Sequence, residues 1–167
     1  VLLWRWFLVN LAPPPADWQE AILVGARQFM NGRICFFEET DAVTPYDPIT
    51  GEGGATGIRV IWAGKARIQQ LRTPKEFSTG YELEASRFFR FQLDPEEVGN
   101  PIPFVPHGTL ARALDGGRDS SLESLSFTVN SAINSSHMAV RTVELASNMI
   151  PIAWTWKVNE DGDVEYA

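Results

Sequence analysis

Apolar positions near the start of the chain follow a helical rhythm, and from Gly32 onward they follow that of strands. Trp18, Ile22, Ala26 and Phe29 fall at i, i+4, i+8 and i+11 and form one apolar stripe, the pattern of a helix that lays one side on a core. Asp17 stands at the N-cap position with Glu20 three residues later, the reciprocal capping arrangement. Asn31-Gly32 supplies the stop. The spacing predicts a helix over residues 18–30.

Beyond Gly32 the chain breaks into short β-branched and aromatic runs separated by Gly, Pro, Asp and Asn, which predicts strands near 33–39, 58–71, 81–93, 109–114, 123–131, 137–145 and 151–158. In the second, Ile58, Val60 and Trp62 alternate until Gly64 interrupts and Ala66 and Ile68 resume, which predicts a bulge that bends a long strand. In the third, Tyr81, Leu83, Ala85, Phe89, Phe91 and Leu93 share one face, and Glu82, Glu84, Arg90 and Gln92 share the other. One face is core and the other is wet or touches a partner. The fold class expected is mainly β: a small β-barrel of about seven strands with one N-terminal α-helix packed beside it. At 167 residues the chain suits one core. Residues 17–158 form that domain, residues 1–16 an N-terminal docking arm and residues 159–167 an acidic C-terminal tail.

The arm holds Trp4 and Trp6 in an apolar run over residues 1–12, too short to span a bilayer, interrupted by Arg5 and followed by Pro13, Pro14 and Pro15. Two connections exceed what hairpins need. The first, residues 40–57, lies in an acidic stretch with Glu38, Glu39, Asp41, Asp47 and Glu52 and no base. The second, residues 115–121, has few apolar anchors and is expected to be mobile or held by another chain.

The net charge of −7 argues against a surface that neutralises phosphates along its whole extent, although DNA can slide past a negative wall. Residues 63–91 run the other way, with Lys65, Arg67, Arg72, Lys75, Arg87 and Arg90 against Glu76, Glu82 and Glu84. Opposite-signed faces suit packing in which one face of a subunit meets a different face of its neighbour. The lone Cys35 can form no disulfide within the chain and reads as a small buried hydrophobe.

Motifs for chemistry are sparse. His107 and His137 lack metal-ligand spacing. Ser136 beside His137 makes no dyad by adjacency. The glycines at 51, 53, 54 and 57 lack the Lys-Ser/Thr ending of a phosphate loop. Asp161-Gly162-Asp163 with Glu165 departs from calcium-loop spacing and reads as a polar turn. Glu82 and Glu84 point the same way on a strand, as any two solvated positions do. No catalytic residue, metal or cofactor is expected. Trp154 and Trp156 share a face of the last strand, either as a sugar-stacking platform or, more blandly, as core or subunit interface.

The order of elements carries a resemblance: a helix ending in Phe29-Met30, a strand over residues 33–37, the turn Asp47-Pro-Ile-Thr-Gly51, then Val60-Ile-Trp-Ala-Gly-Lys-Ala-Arg-Ile-Gln69. With residues 127–131 and 139–144 as closing strands, it resembles the head-to-tail stopper, or head-closure, proteins of long-tailed bacteriophages over roughly residues 17–148. The resemblance implies a virion protein of the phage neck, assembled in the host cytoplasm as a homo-oligomeric ring without catalysis or membrane. It implies a head-tail adaptor or portal on one side, a tail terminator or tail tube on the other, and packaged DNA nearby without specific binding. The loop over residues 41–57, with Asp41, Tyr46, Asp47 and Glu52, is then the channel-facing segment, and Trp4, Trp6, Lys65, Arg67, Arg72 and Arg90 are partner contacts. The proline-preceded arm departs from the family pattern. The alternatives are a carbohydrate-binding β-module or, within the neck, a tail terminator or the adaptor itself.

Overall fold

The computed structural model describes residues 16–43, 56–71, 75–79, 82–95, 99–133, 140–159 and 161–166. Among them stand one α-helix, α1 (Trp18–Arg27), and nine strands. The strands are β1 (Gly32–Val43), β2 (Thr56–Gln70), β3 (Lys75–Thr79), β4 (Glu82–Leu93), β5 (Leu110–Asp115), β6 (Ser126–Ile133), β7 (Arg141–Ser147), β8 (Trp156–Val158) and β9 (Val164–Tyr166). The described residues are mainly β with one α-helix, as the periodicity predicts. No helix among the described residues is long and apolar enough to cross a membrane.

The main sheet has the order β2-β1-β5-β6-β7-β4-β3, and β4 also pairs with β2. The hydrogen-bonded circuit β2, β1, β5, β6, β7, β4 therefore returns to β2, and every pairing in it is antiparallel. Returning the circuit to its first strand leaves fewer backbone groups at open edges. The inward side is filled by alternate residues: Ile34 and Phe36 of β1, Phe89, Phe91 and Leu93 of β4, Phe127 and Val129 of β6, Val143 and Leu145 of β7. Phe127 stands edge-on to Phe89 at 5.0 Å and to Phe91 at 5.2 Å between ring centroids. The connection after β4 folds back over this core. Val105 is buried in it, the Trp62 indole donates to the Asn100 carbonyl, and Arg141 donates to the Ile102 carbonyl.

Several local expectations are corrected. The helix ends at Arg27, with Gln28 as its C-cap, and the Asp17 side chain makes no capping hydrogen bond. Its buried residue is Leu23, while Ile22 and Phe29 of the expected stripe are 51% and 60% exposed. The helix is tied to the sheet through Arg27, whose guanidinium reaches Asp94 just past β4 at 2.6 Å. The bulge lies at Ile61, not Gly64: Phe36 pairs with Trp62 and Phe37 with Val60, so Ile61 is the extra residue, and Gly64 pairs regularly with Ile34. The run at 81–93 belongs to a β3–β4 hairpin. Residues 123 and 124 of the fifth expected strand belong instead to a 3-10 turn over Ser120–Ser124, which starts where the Asp119 carboxylate accepts from the Ser121 amide and satisfies its first free donor. The connection over 115–121 is held by this chain's own side chains, with Asp115 accepting from Gly117 N and Glu123 from Gly116 N.

Candidate functional site

The lengths of the β1 and β2 pairings differ around the circuit, and that difference makes the most distinctive feature of the molecule. β1 pairs with β5 only over 33–37, and β2 pairs with β4 only over 66–70, yet β1 and β2 pair with each other from Gly32↔Ala66 to Val43↔Thr56. Residues 38–43 and 56–59 therefore form a two-stranded ribbon that runs on past the circuit. Glu38 and Arg59, opposite one another on it, form an ion pair at 2.5 Å. The Ile58 amide donates to the Tyr166 hydroxyl at 3.1 Å, so the small β8–β9 sheet braces the ribbon at its base.

Asp41 lies exposed on this ribbon. The other expected channel residues, Tyr46, Asp47 and Glu52, fall outside the described residues, as do Trp4, Trp6 and Arg72 among the expected partner contacts. Lys65, Arg67 and Arg90 alternate with the inward residues of β2 and β4 and so share the outer wall of the circuit. Lys65 is exposed. The Arg67 guanidinium sits 5.4 Å from the Phe29 ring and donates to Gln92 at 3.3 Å. Arg90 is committed to its neighbour strand, bonding Glu144 at 3.0 Å.

Behind the ribbon lies a second apolar cluster with no counterpart in the sequence reading. Cys35 and Phe37 face outward from β1 and are covered by Trp156, with Ile58, Val60, Leu110, Leu114, Trp154, Val158 and Val164 around them. Arg112 of β5 is seated among the indoles, its guanidinium carbon 4.7 Å from the Trp154 ring and 4.9 Å from that of Trp156, and it donates to the Trp156 carbonyl. A guanidinium over aromatic faces is attractive and more so when water is excluded. Burial draws Arg112 below the usual arginine value. Two stacked faces and a carbonyl thus pin the C-terminal segment to β5 through Arg112. The pair Trp154 and Trp156 makes no flat stacking surface: their rings meet at 73° and both pack on Phe37, with Trp156 only 4% exposed. Trp156 is core, and Trp154 is half-buried against the same cluster. The Asp161-Gly162-Asp163 segment is the turn of the β8–β9 hairpin, with Gly162 at φ +93° and Asn159 accepting from Asp163 N. His107 is exposed. Among the described residues no group of His, Cys, Asp and Glu has the arrangement of a metal site.

Burial pushes the Cys35 thiol from 9.0 up to about 12, against the opposing pull of the Arg112 and Arg33 charges. The folded state therefore favours the thiol over the thiolate more than the unfolded state does. Stability from this group is whole below pH 9 and is lost progressively between pH 9 and about 12, as the unfolded chain ionises first. Cys35→Ala is expected to flatten this alkaline decline in urea midpoints measured from pH 8 to 11. An unchanged slope would assign the decline to other groups.

No curated protein matches the chain. Residues 25–146, from within α1 to within β7, match the family of unknown function DUF6093, and the chain belongs to that family.

Proposed function

We propose that this chain is a structural ring subunit of a bacteriophage neck, a head-to-tail stopper that closes the DNA exit channel after packaging and joins head to tail. The observation that carries the reading is the ribbon over 38–43 and 56–59, which projects past the paired circuit and leads into the acidic stretch between them. A rigid β circuit that anchors a protruding acidic hairpin suits a plug that blocks DNA without holding it, since like charges keep the contact weak. The order of elements named in the sequence supports the same reading. A single ten-residue α-helix among the described residues weighs against the adaptor, which is expected to carry more helix. In this reading copies form a ring that works by steric closure and by two interfaces, one toward the adaptor or portal and one toward the tail terminator or tail tube.

The experiment is electron microscopy of lysates of a phage lacking this gene, counting full heads, empty heads and free tails. The expected result is tailless heads that have lost their DNA beside finished, unattached tails. Normal infectious particles would overturn the neck assignment.

A further inference from the structure

At the end of the β1–β2 hairpin opposite the ribbon lies a cleft of about 450 Å³ between the end of α1, β2 and the turn after β5. Phe29, Ile68, Phe89 and Leu122 give it an apolar lining, and Arg67 and Arg118 belong to its walls. Phe29 is 60% exposed there. An open aromatic ring beside guanidiniums is the composition found at protein interfaces. Among the described residues neither arginine meets a carboxylate: Arg67 has only Gln92 and the Phe29 ring, and Arg118 is exposed. Asp119 also lines the cleft, but its Oδ1 accepts from both the amide and hydroxyl of Ser121.

The complementary charges stand at the far end of the same hairpin. Glu39 and Asp41 are exposed on the ribbon and have no basic partner among the described residues, unlike Glu38, which holds Arg59. Gly32 pairs beside Arg67, and Asp41 lies nine residues further along β1, about 30 Å at an ordinary strand rise. That separation keeps the two sets of charges apart within one chain and leaves both free for a neighbour. We infer that the cleft receives the ribbon of a second copy of this chain, with Glu39 and Asp41 facing Arg67 and Arg118 and the ribbon covering Phe29. The contact is heterologous, one end of a copy against the other end of the next, and such contacts generate rings when the rotation closes. Two cations beside an aspartate, on a chain of net charge −7, suit an acidic protein segment better than a phosphate backbone. The inference deepens the ring reading and rests on it only for the statement that copies assemble. Asp41 then belongs to the contact between copies.

Sedimentation velocity on the full chain tests it with charge reversals at each end: Arg67→Glu with Arg118→Glu, and Glu39→Lys with Asp41→Lys. The wild type is expected to assemble, and each reversed chain to associate about 100-fold more weakly, because like charges then face each other. An equimolar mixture of the two reversed chains restores assembly, since every contact between unlike copies again joins opposite charges. That rescue also demonstrates that both variants are folded. Arg118→Glu and Asp41→Lys alone, at exposed positions, give the same pattern in weaker form. Reversed chains that assemble like the wild type, or a mixture that stays monomeric beside an assembling wild type, overturn the contact and leave the ring standing. A wild type that is monomeric at every concentration overturns both. Rescue in the mixture together with infectious particles from the gene-deleted phage retains the contact and removes the neck.

Discussion

Phe127→Ala is expected to lower the unfolding free energy by about 4 kcal/mol, within the range for truncating a buried phenylalanine. Phe127 is 0% exposed and lies on β6 in the middle of the circuit, edge-on to both Phe89 and Phe91. Removing the ring takes away its transfer energy and two oriented aromatic contacts, and the backbone cannot collapse into the space because β6 is bonded on both sides, to β5 and β7. A domain of this size commonly has about 5–15 kcal/mol in total, so the variant loses a large part of its stability. The urea midpoint should fall sharply while the slope stays constant, because the same surface is exposed on unfolding. Phe29→Ala, at 60% exposure, is the control and should shift stability by no more than about 0.5 kcal/mol. A Phe127→Ala midpoint as close to the wild type as the control would show that the inward face of β6 is not the centre of the core.

Trp156→Ala carries the second large effect, of about 3 kcal/mol, and its signature is local. Trp156 covers Cys35 and Phe37 from outside the circuit and supplies one of the two rings that seat Arg112. Without the indole the β8–β9 hairpin keeps its own pairing but loses its main attachment to β1. The Arg112 guanidinium regains water and its stacking on the remaining ring weakens. A segment that opens on its own does so with less free energy than the whole domain, so Cys35 becomes accessible without global unfolding. Labelling of this sole cysteine by a thiol reagent should accelerate by about 100-fold, corresponding to about 2.8 kcal/mol of local opening. Labelling as slow as in the wild type would place the attachment of the hairpin elsewhere.

How far the fold could be read in advance depended on the length of the signal. The alternation of Phe89, Phe91 and Leu93 against Arg90 and Gln92 persists long enough to fix both the strand and its inward face, and the structure places them as the alternation implies. The helix face was ambiguous because Ile22, Leu23 and Val24 are consecutive apolar residues, and three adjacent positions point in three directions around a helix. Burial selected Leu23, a choice made by the sheet and not by the period. The 3-10 turn was announced by Asp119-Ser120-Ser121, a capping signal outweighed by the β-branched residues that follow. β9 is too short, at three residues, for alternation to be distinguished from loop, and of the strand expected over 151–158 only Trp156–Val158 pairs, as β8. Arg112 could not be assigned a role at all, because its partner carbonyl is 44 residues away and nothing local marks an arginine that will be stacked. The ribbon followed from neither pattern nor propensity; it exists because β5 stops pairing at Phe37.

The bulge at Ile61 governs a different property, the tolerance of the hairpin to a change in length. Upstream of it, Ile58 and Val60 serve the outer cluster; downstream, Trp62 and Ala66 serve the inner one. All four positions have even numbers, so a strict period of two would send them to the same face. One inserted residue reverses the parity and lets a single strand line two separate cores. Drift by substitution can proceed on either side of that point, but losing one residue there would turn every upstream side chain over at once. The length of β2 between Val60 and Trp62 is therefore under a stricter constraint than the identity of the residue that occupies it.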